Sequence, residues 1–244
     1  MSVLDNDIVQ GPDTRPASIT DGRLLRIQSW SGVLFAGFLL VHLCNQMLAS
    51  FGPDVYDHAQ RVLRKGYQFA PLELGLVIGP LIVHAGAGIA RMVRRRRRPP
   101  AARAAPNWRT RLHRWSAVVL LVFFIGHVTA TRGASLLYGV YPGWAGVAYT
   151  LRWVPAYFWP YYITFAIAGF YHLVNGLGVA LRVLGLRGGR VFQSPRVVAI
   201  ASITAAVLLV AGMLGFGGVL VRPPSDPRAS TYAQLLRRLG VAHE

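Results

Sequence analysis

Two stretches of the chain repeat one pattern: RIQSWSGVLFAGFLLVH at residues 26–42 and RLHRWSAVVLLVFFIGH at residues 111–127. Each begins with Arg, has Trp-Ser four residues later, and ends with His after ten apolar or small residues. A long apolar run without strand-like alternation favours a helix. The repetition, 85 residues apart, predicts an internal duplication in which equivalent apolar helices carry a histidine at the same depth.

The composition indicates a membrane protein. Hydrophobic residues make up 53% of the 244-residue chain and charged residues only 14%, which is too apolar for an ordinary soluble domain. Five windows without charge are 27, 17, 17, 29 and 25 residues long; they cover 27–53, 74–90, 115–131, 153–181 and 197–221. A membrane-spanning helix needs about 20 residues, and the alternation of a spanning barrel is absent. We therefore predict an all-α membrane protein with five transmembrane helices, spans I to V.

Basic residues predict the orientation of these spans. With the N-terminus on the inner side, the inner segments carry 17 Arg and Lys residues and the outer segments carry 9. By the positive-inside rule, the N-terminus is inside and the C-terminus outside. The expected localisation is a bacterial cytoplasmic membrane. The run Arg94–Arg98 directly follows a span, which favours contact with anionic membrane lipid over nucleic acid.

The pattern divides the chain into three parts. A polar inner arm covers residues 1–22, a five-span membrane domain covers 23–221, and an outer tail covers 222–244. The tail contains ASTYAQLLRRLG at 229–240, whose spacing of apolar residues fits a short amphipathic helix on the outer surface.

Four of the seven histidines fall one per helix in spans I to IV; they are His42, His84, His127 and His172. An ionisable residue inside the membrane is a functional hypothesis by default. A packing role is the ordinary interpretation of a single such histidine, but four at matched depths favour a shared function. His58, His113 and His243 lie in loops or at an edge, and we expect them to be solvated surface residues.

Depth sorts the four histidines into two pairs. At about 1.5 Å per residue, His42 and His127 lie about 24 Å past the inner-edge arginines, whereas His84 and His172 lie about 10 and 15 Å from the inner edge. Two imidazoles facing each other at one depth in a bundle form a bis-histidine haem site. We therefore expect two stacked haems within spans I to IV, with span V packed outside.

Other residues bear on the type of site. Gly88 and Gly176 each lie four residues after a histidine, on the same helix face, and a glycine allows close approach of a flat macrocycle. Small-residue helix packing is the alternative explanation. Cys44 is the single cysteine, so a haem would be non-covalent b-type and a cysteine-ligated iron–sulfur cluster within the chain is excluded. The wide histidine spacing argues against zinc. Two histidines per iron leave no open position, which favours electron transfer.

With these residues, the chain resembles the five-helix, dihaem cytochrome b subunits that anchor succinate:quinone oxidoreductases, the succinate dehydrogenase and fumarate reductase family. The resemblance covers about residues 23–221; it is carried by the two quoted stretches together with LIVHAGAGIAR at 81–91 and FYHLVNGLG at 170–178. It implies that His42 and His127 bind a distal haem, and that His84 and His172 bind a proximal haem.

The resemblance also implies partners. These are a flavoprotein subunit that interconverts succinate and fumarate, an iron–sulfur subunit on the inner face, and a membrane quinone, expected to be menaquinone. Some fumarate-reductase members carry a glutamate two residues before the fourth ligand, on a proton route. Phe170 holds that position here, which favours succinate oxidation.

Glu73 is the acidic residue at the edge of a span, at the outer start of span II. Quinone reduction takes up protons, so one interpretation makes Glu73 the proton relay for a quinone near the distal haem. The other makes it a first-turn residue stabilised by the helix dipole.

Two other function classes stay open. One is the cytochrome b subunit of a formate dehydrogenase or hydrogenase, which has four spans and puts more than one ligand on a helix. The other is a haem-free membrane anchor.

Overall fold

The structure, a computed structural model, describes residues 19–99 and 105–242. These residues form eight helices and three short 3₁₀ turns, without a strand in the described part. The helices are α1 (Ile19–Met47), α2 (Pro53–Tyr67), α3 (Ala70–Arg96), α4 (Trp108–Tyr138), α5 (Gly143–Trp153), α6 (Pro155–Val183), α7 (Pro195–Phe216) and α8 (Thr231–Arg238).

Five helices, α1, α3, α4, α6 and α7, are long and apolar enough to cross a membrane. The predicted all-α fold with five candidate spans is therefore confirmed at this level. Several of these helices extend beyond the charge-free windows, because terminal arginines continue the last turns and reach outward on long side chains. Of the predicted inner arm, residues 1–18 lie outside the described residues, and residues 19–22 belong to α1.

Four of the long helices form an open bundle. Helix α1 packs against α3 and α6, and α4 packs against α6. Among the described residues, α3 and α4 do not pack along each other, nor do the diagonal pairs α1 with α4 and α3 with α6. The diagonal helices are therefore not in close packing contact.

Helix α7 lies outside this bundle, against α1 and α6. Gly212 and Gly215 allow the close approach, because a Cβ on either would clash with the α1 backbone or the turn after it, at Gln46 and Ala49. The fifth span thus packs outside the other four, as predicted.

The bundle has two different ends. At the arginine-rich end, where α1, α4 and α7 begin, Asp21 of α1 forms an ion pair with Arg98, 2.6 Å away, beyond the end of α3. At the opposite end, α2, α5 and α8 form a cap, and the core between cap and bundle holds Tyr56, Trp144 and Phe216.

The cap was only partly predictable. The segments expected to be loops between spans I and II and between spans III and IV contain helices α2 and α5. Helix α8 lies within the stretch where an amphipathic helix was expected. Its buried residues Tyr232, Ala233 and Leu235 pack against the protein, including Ala134 and Tyr149, so its apolar face is covered by the cap rather than by lipid.

Candidate functional site

The four membrane histidines meet in two pairs. His42 of α1 faces His127 of α4, with ring centroids 5.9 Å apart and ring planes at 78°. His84 of α3 faces His172 of α6, with centroids 6.1 Å apart and planes at 89°. These are the pairs that the depth argument predicts, and we call them the distal pair and the proximal pair.

The pair distances fit one metal between two imidazoles. With about 2.0–2.1 Å from metal to each nitrogen, and about 1.1 Å from nitrogen to ring centre, two ligating rings have centroids about 6.3 Å apart. Both pairs lie within a few tenths of an ångström of that value. Each pair joins diagonal helices that do not pack along each other. The residues present therefore fit two sites for a flat macrocycle with two axial histidines, and the ligand role itself stays a prediction.

The imidazole of His84 is oriented by the backbone of α1. Its Nδ1 lies 2.9 Å from the carbonyl oxygen of Gln28. A carbonyl oxygen only accepts, so Nδ1 carries the proton and Nε2 keeps a free lone pair. Gly32 makes this approach possible, since a Cβ there would stand 2.8 Å from Nδ1 and 2.9 Å from Cε1 of the ring.

The imidazole of His172 is oriented by α4, through the backbone carbonyl of His113 and through a side chain. Its Nδ1 lies 3.2 Å from Oγ of Ser116. The Ser116 hydroxyl donates its proton to the carbonyl oxygen of His113 at 2.9 Å, so its oxygen accepts from Nδ1–H of His172. Both proximal histidines are thus held with Nε2 free, which is the state that binds a metal.

Gly88 and Gly176 both lie beside the proximal pair. A Cβ on Gly88 would stand 2.9 Å from Nε2 of Gln28, and one on Gly176 would stand 3.1 Å from Cε1 of His113. Gln28 and His113 hold equivalent positions in the two quoted stretches, 85 residues apart. The glycines therefore make room for side chains of the neighbouring helix, and their predicted contact with a macrocycle stays a prediction.

The expectation of a solvated His113 is wrong. Its ring stacks on His172 with centroids 4.1 Å apart and planes at 9°, and its buried Nδ1 has no hydrogen-bond partner in the described part of the chain. The reason is that α4 begins at Trp108, so the residue lies in the second turn of a helix rather than at an edge. Its alignment with Gln28 was a usable signal. His58 is exposed, as expected, and His243 lies outside the described residues.

Glu73 and Arg132 form a buried ion pair near the cap. Arg132 donates from Nε to one carboxylate oxygen of Glu73 at 2.5 Å and from Nη2 to the other. Nη1 of Arg132 also donates to Oγ of Ser135 at 3.0 Å. Glu73 is only 7% exposed. Each partner lies in a π-helical segment, Glu73–Ile78 in α3 and Thr129–Gly133 in α4, and such segments are frequent at functional sites.

Aromatic contacts connect this ion pair to the distal pair. Phe38 stacks beside His42 with ring centroids 5.6 Å apart, and the edge of Tyr67 meets Phe38 at 5.1 Å. Burial raises the pKa of the Tyr67 hydroxyl, and the nearby carboxylate of Glu73 raises it further. The sequence singled out Glu73, but nothing in it indicated that this residue pairs with Arg132.

Comparisons with protein-family models, with curated proteins and with solved structures find no match for this chain. A functional proposal therefore has to come from the residues and their geometry.

Proposed function

We propose that this chain is the dihaem cytochrome b membrane subunit of a succinate dehydrogenase that reduces membrane quinone. The proposal depends on one observation, the two histidine pairs on diagonal helices of one bundle. Their ring centroids lie 5.9 Å apart in the distal pair and 6.1 Å apart in the proximal pair. The motif resemblance supplies the family. Dicarboxylate chemistry belongs to a flavoprotein partner, and an iron–sulfur partner connects it to this subunit.

In this proposal His42 and His127 hold the distal haem, and His84 and His172 hold the proximal haem. A haem held between two of these imidazoles would supply one-electron transfer and would leave no open position for oxygen. The carbonyl of Gln28 and the hydroxyl of Ser116 orient the proximal imidazoles. The apolar helices around both pairs keep bulk water away from them.

We assign the arginine-rich end to the cytoplasmic face and to the soluble partners. Its helix ends carry the run Arg94–Arg98 together with Arg109 and Arg111, and they lie on the side of the proximal pair. Such a surface attracts an acidic partner surface and anionic lipid headgroups. Electrons from succinate would then enter next to the proximal pair.

We assign the quinone to the cap end, beside the distal pair. Arg132 would hold the ionised carboxylate of Glu73 in position, and Glu73 would take up a proton from the cap side and pass it to the reduced quinone. Phe38 contacts both His42 and Tyr67, and Tyr67 lies near enough to Glu73 to feel its charge. Phe170, in place of a glutamate, favours the direction of succinate oxidation, and menaquinone is the expected quinone.

Haem content tests this proposal most directly. The protein is purified from membranes with its co-purifying subunits and analysed by a pyridine haemochrome assay and a reduced-minus-oxidised spectrum. Two b haems per chain, both reducible by succinate, are expected. Absence of haem would leave a membrane anchor. Two haems that respond to formate or hydrogen but not to succinate would indicate the other cytochrome class.

A further inference from the structure

Two serines at equivalent positions of the duplicated helices have different partners. Ser31 and Ser116 follow Trp in the two quoted stretches, and each is 6% exposed. The hydroxyl of Ser31 donates to its own helix, to the carbonyl of Ile27 at 2.7 Å, and forms no hydrogen bond with a histidine in the described part of the chain. The hydroxyl of Ser116 also donates to its own helix, but its oxygen lies 3.2 Å from Nδ1 of His172.

The residue after each serine also differs. Gly32 follows Ser31, and its missing Cβ lets the ring of His84 reach the α1 backbone at Gln28. Ala117 follows Ser116 at the equivalent position of α4. A Cβ at position 32 would stand 2.8 Å from the ring, whereas Ala117 carries that Cβ. The ring of His172 nevertheless has the backbone carbonyl of His113, equivalent to Gln28, as a hydrogen-bond partner, and the Ser116 oxygen is a further one.

Both halves of the duplication therefore hold the proximal histidine by the equivalent backbone carbonyl, and the second half adds a replaceable side chain, Ser116. In addition, His113 covers one face of the His172 ring in a parallel stack. In the distal pair, neither ring has a hydrogen-bond partner for its nitrogens among the described residues. Within the described part of the chain, a side-chain hydrogen bond to a ring nitrogen is thus confined to the proximal pair.

We infer that Ser116 is a positioning residue whose oxygen, beside the backbone carbonyl of His113, increases the electron-donating strength of His172 and so lowers the reduction potential of the proximal haem. The inference rests on the proposed function. A hydrogen bond from Nδ1–H to an oxygen makes the imidazole a stronger donor at Nε2. A stronger donor stabilises ferric over ferrous iron, and loss of the bond shifts the balance toward ferrous iron.

Potentiometric titration of the intact complex, followed by the optical spectra of both haems, tests the inference. Ser116→Val removes the oxygen. Ser116→Thr keeps the oxygen, and its side chain has nearly the same shape as valine. In Ser116→Val, the ferrous-to-ferric ratio of one haem at a fixed potential is expected to rise about threefold to tenfold. A tenfold rise corresponds to an increase of about 59 mV in the reduction potential of that haem. Ser116→Thr and the matched control Ser31→Ala are expected to leave both haems unchanged. Loss of one haem in Ser116→Val, with retention in Ser116→Thr, would equally support a role of the oxygen in holding His172.

Three outcomes would overturn the inference: unchanged potentials in Ser116→Val, an equal shift in Ser31→Ala, or the same change in Ser116→Thr as in Ser116→Val. The unaltered complex separates this failure from failure of the proposed function. Two succinate-reducible haems in that complex keep the function, whatever the serine variants show.

Discussion

Arg132 of α4 holds both carboxylate oxygens of Glu73 across the gap between α4 and α3. The two helices do not pack along each other in the described structure, so this ion pair bridges them at the cap end. Bidentate pairing of arginine with a carboxylate is strong and directional. The bidentate pair fixes the position of the Glu73 carboxylate. The helix dipole alone would stabilise its charge without fixing its position.

Replacement of Glu73 by glutamine tests its proposed role in proton transfer. The amide keeps the shape of the side chain but cannot take up and release a proton. Succinate is expected to reduce both haems as in the unaltered complex, while quinone turnover falls about 100-fold or more. The measurement is the rate of quinone reduction beside the extent of haem reduction. Asp54→Asn, at an exposed residue of α2, is the matched control. Normal quinone turnover in Glu73→Gln would remove this carboxylate from the mechanism.

Alanine replacements of the four histidines test the pairing. His42→Ala and His127→Ala are expected to lose the same haem, and His84→Ala and His172→Ala the other, because the rings meet in those pairs. Pyridine haemochrome content should fall from two to one per chain, with one spectral component missing. Loss of a haem also leaves a large cavity, so reduced assembly is expected in every variant. A shared haem for His42 and His84 would contradict the two-layer arrangement.

The spans and the pairing of the histidines were predictable because each depends on one-dimensional information. Hydropathy fixes the spans, and residue counts from the arginines fix the depth of each histidine. The contacts that refine the site depend on which helix faces point at each other. The sequence therefore did not indicate that Glu73 meets Arg132, or that Ser116 reaches His172 while Ser31 does not. His113 was misjudged since helix α4 continues past its charged residues into the region taken as an edge.

Gly32→Ala is expected to disturb the proximal haem selectively. The new Cβ would stand 2.8 Å from Nδ1 of His84, which forces the ring away from the Gln28 carbonyl and costs about 1–3 kcal/mol in overpacking. Haem content and the spectrum of the proximal component should change, while the distal component is retained. Gly37→Ala is the control, because a Cβ there meets nothing within 4 Å. Equal effects of the two variants would mean that Gly32 only contributes to the packing of α1.

The angles between the ligand rings predict the magnetic signature of both haems. The planes cross at 78° in the distal pair and at 89° in the proximal pair. With perpendicular imidazoles, each ligand donates into a different one of two iron d orbitals, so these orbitals stay close in energy and retain orbital angular momentum. Both oxidised haems should therefore give strongly anisotropic low-spin ferric signals in electron paramagnetic resonance. Parallel rings would separate the two orbitals and give the less anisotropic, fully resolved signal of coplanar bis-imidazole haems. Spectra of the oxidised complex, recorded beside those of the single-haem variants His42→Ala and His84→Ala, assign one signal to each pair. A coplanar-type signal from either haem would show that its histidines do not bind the iron in the orientation described.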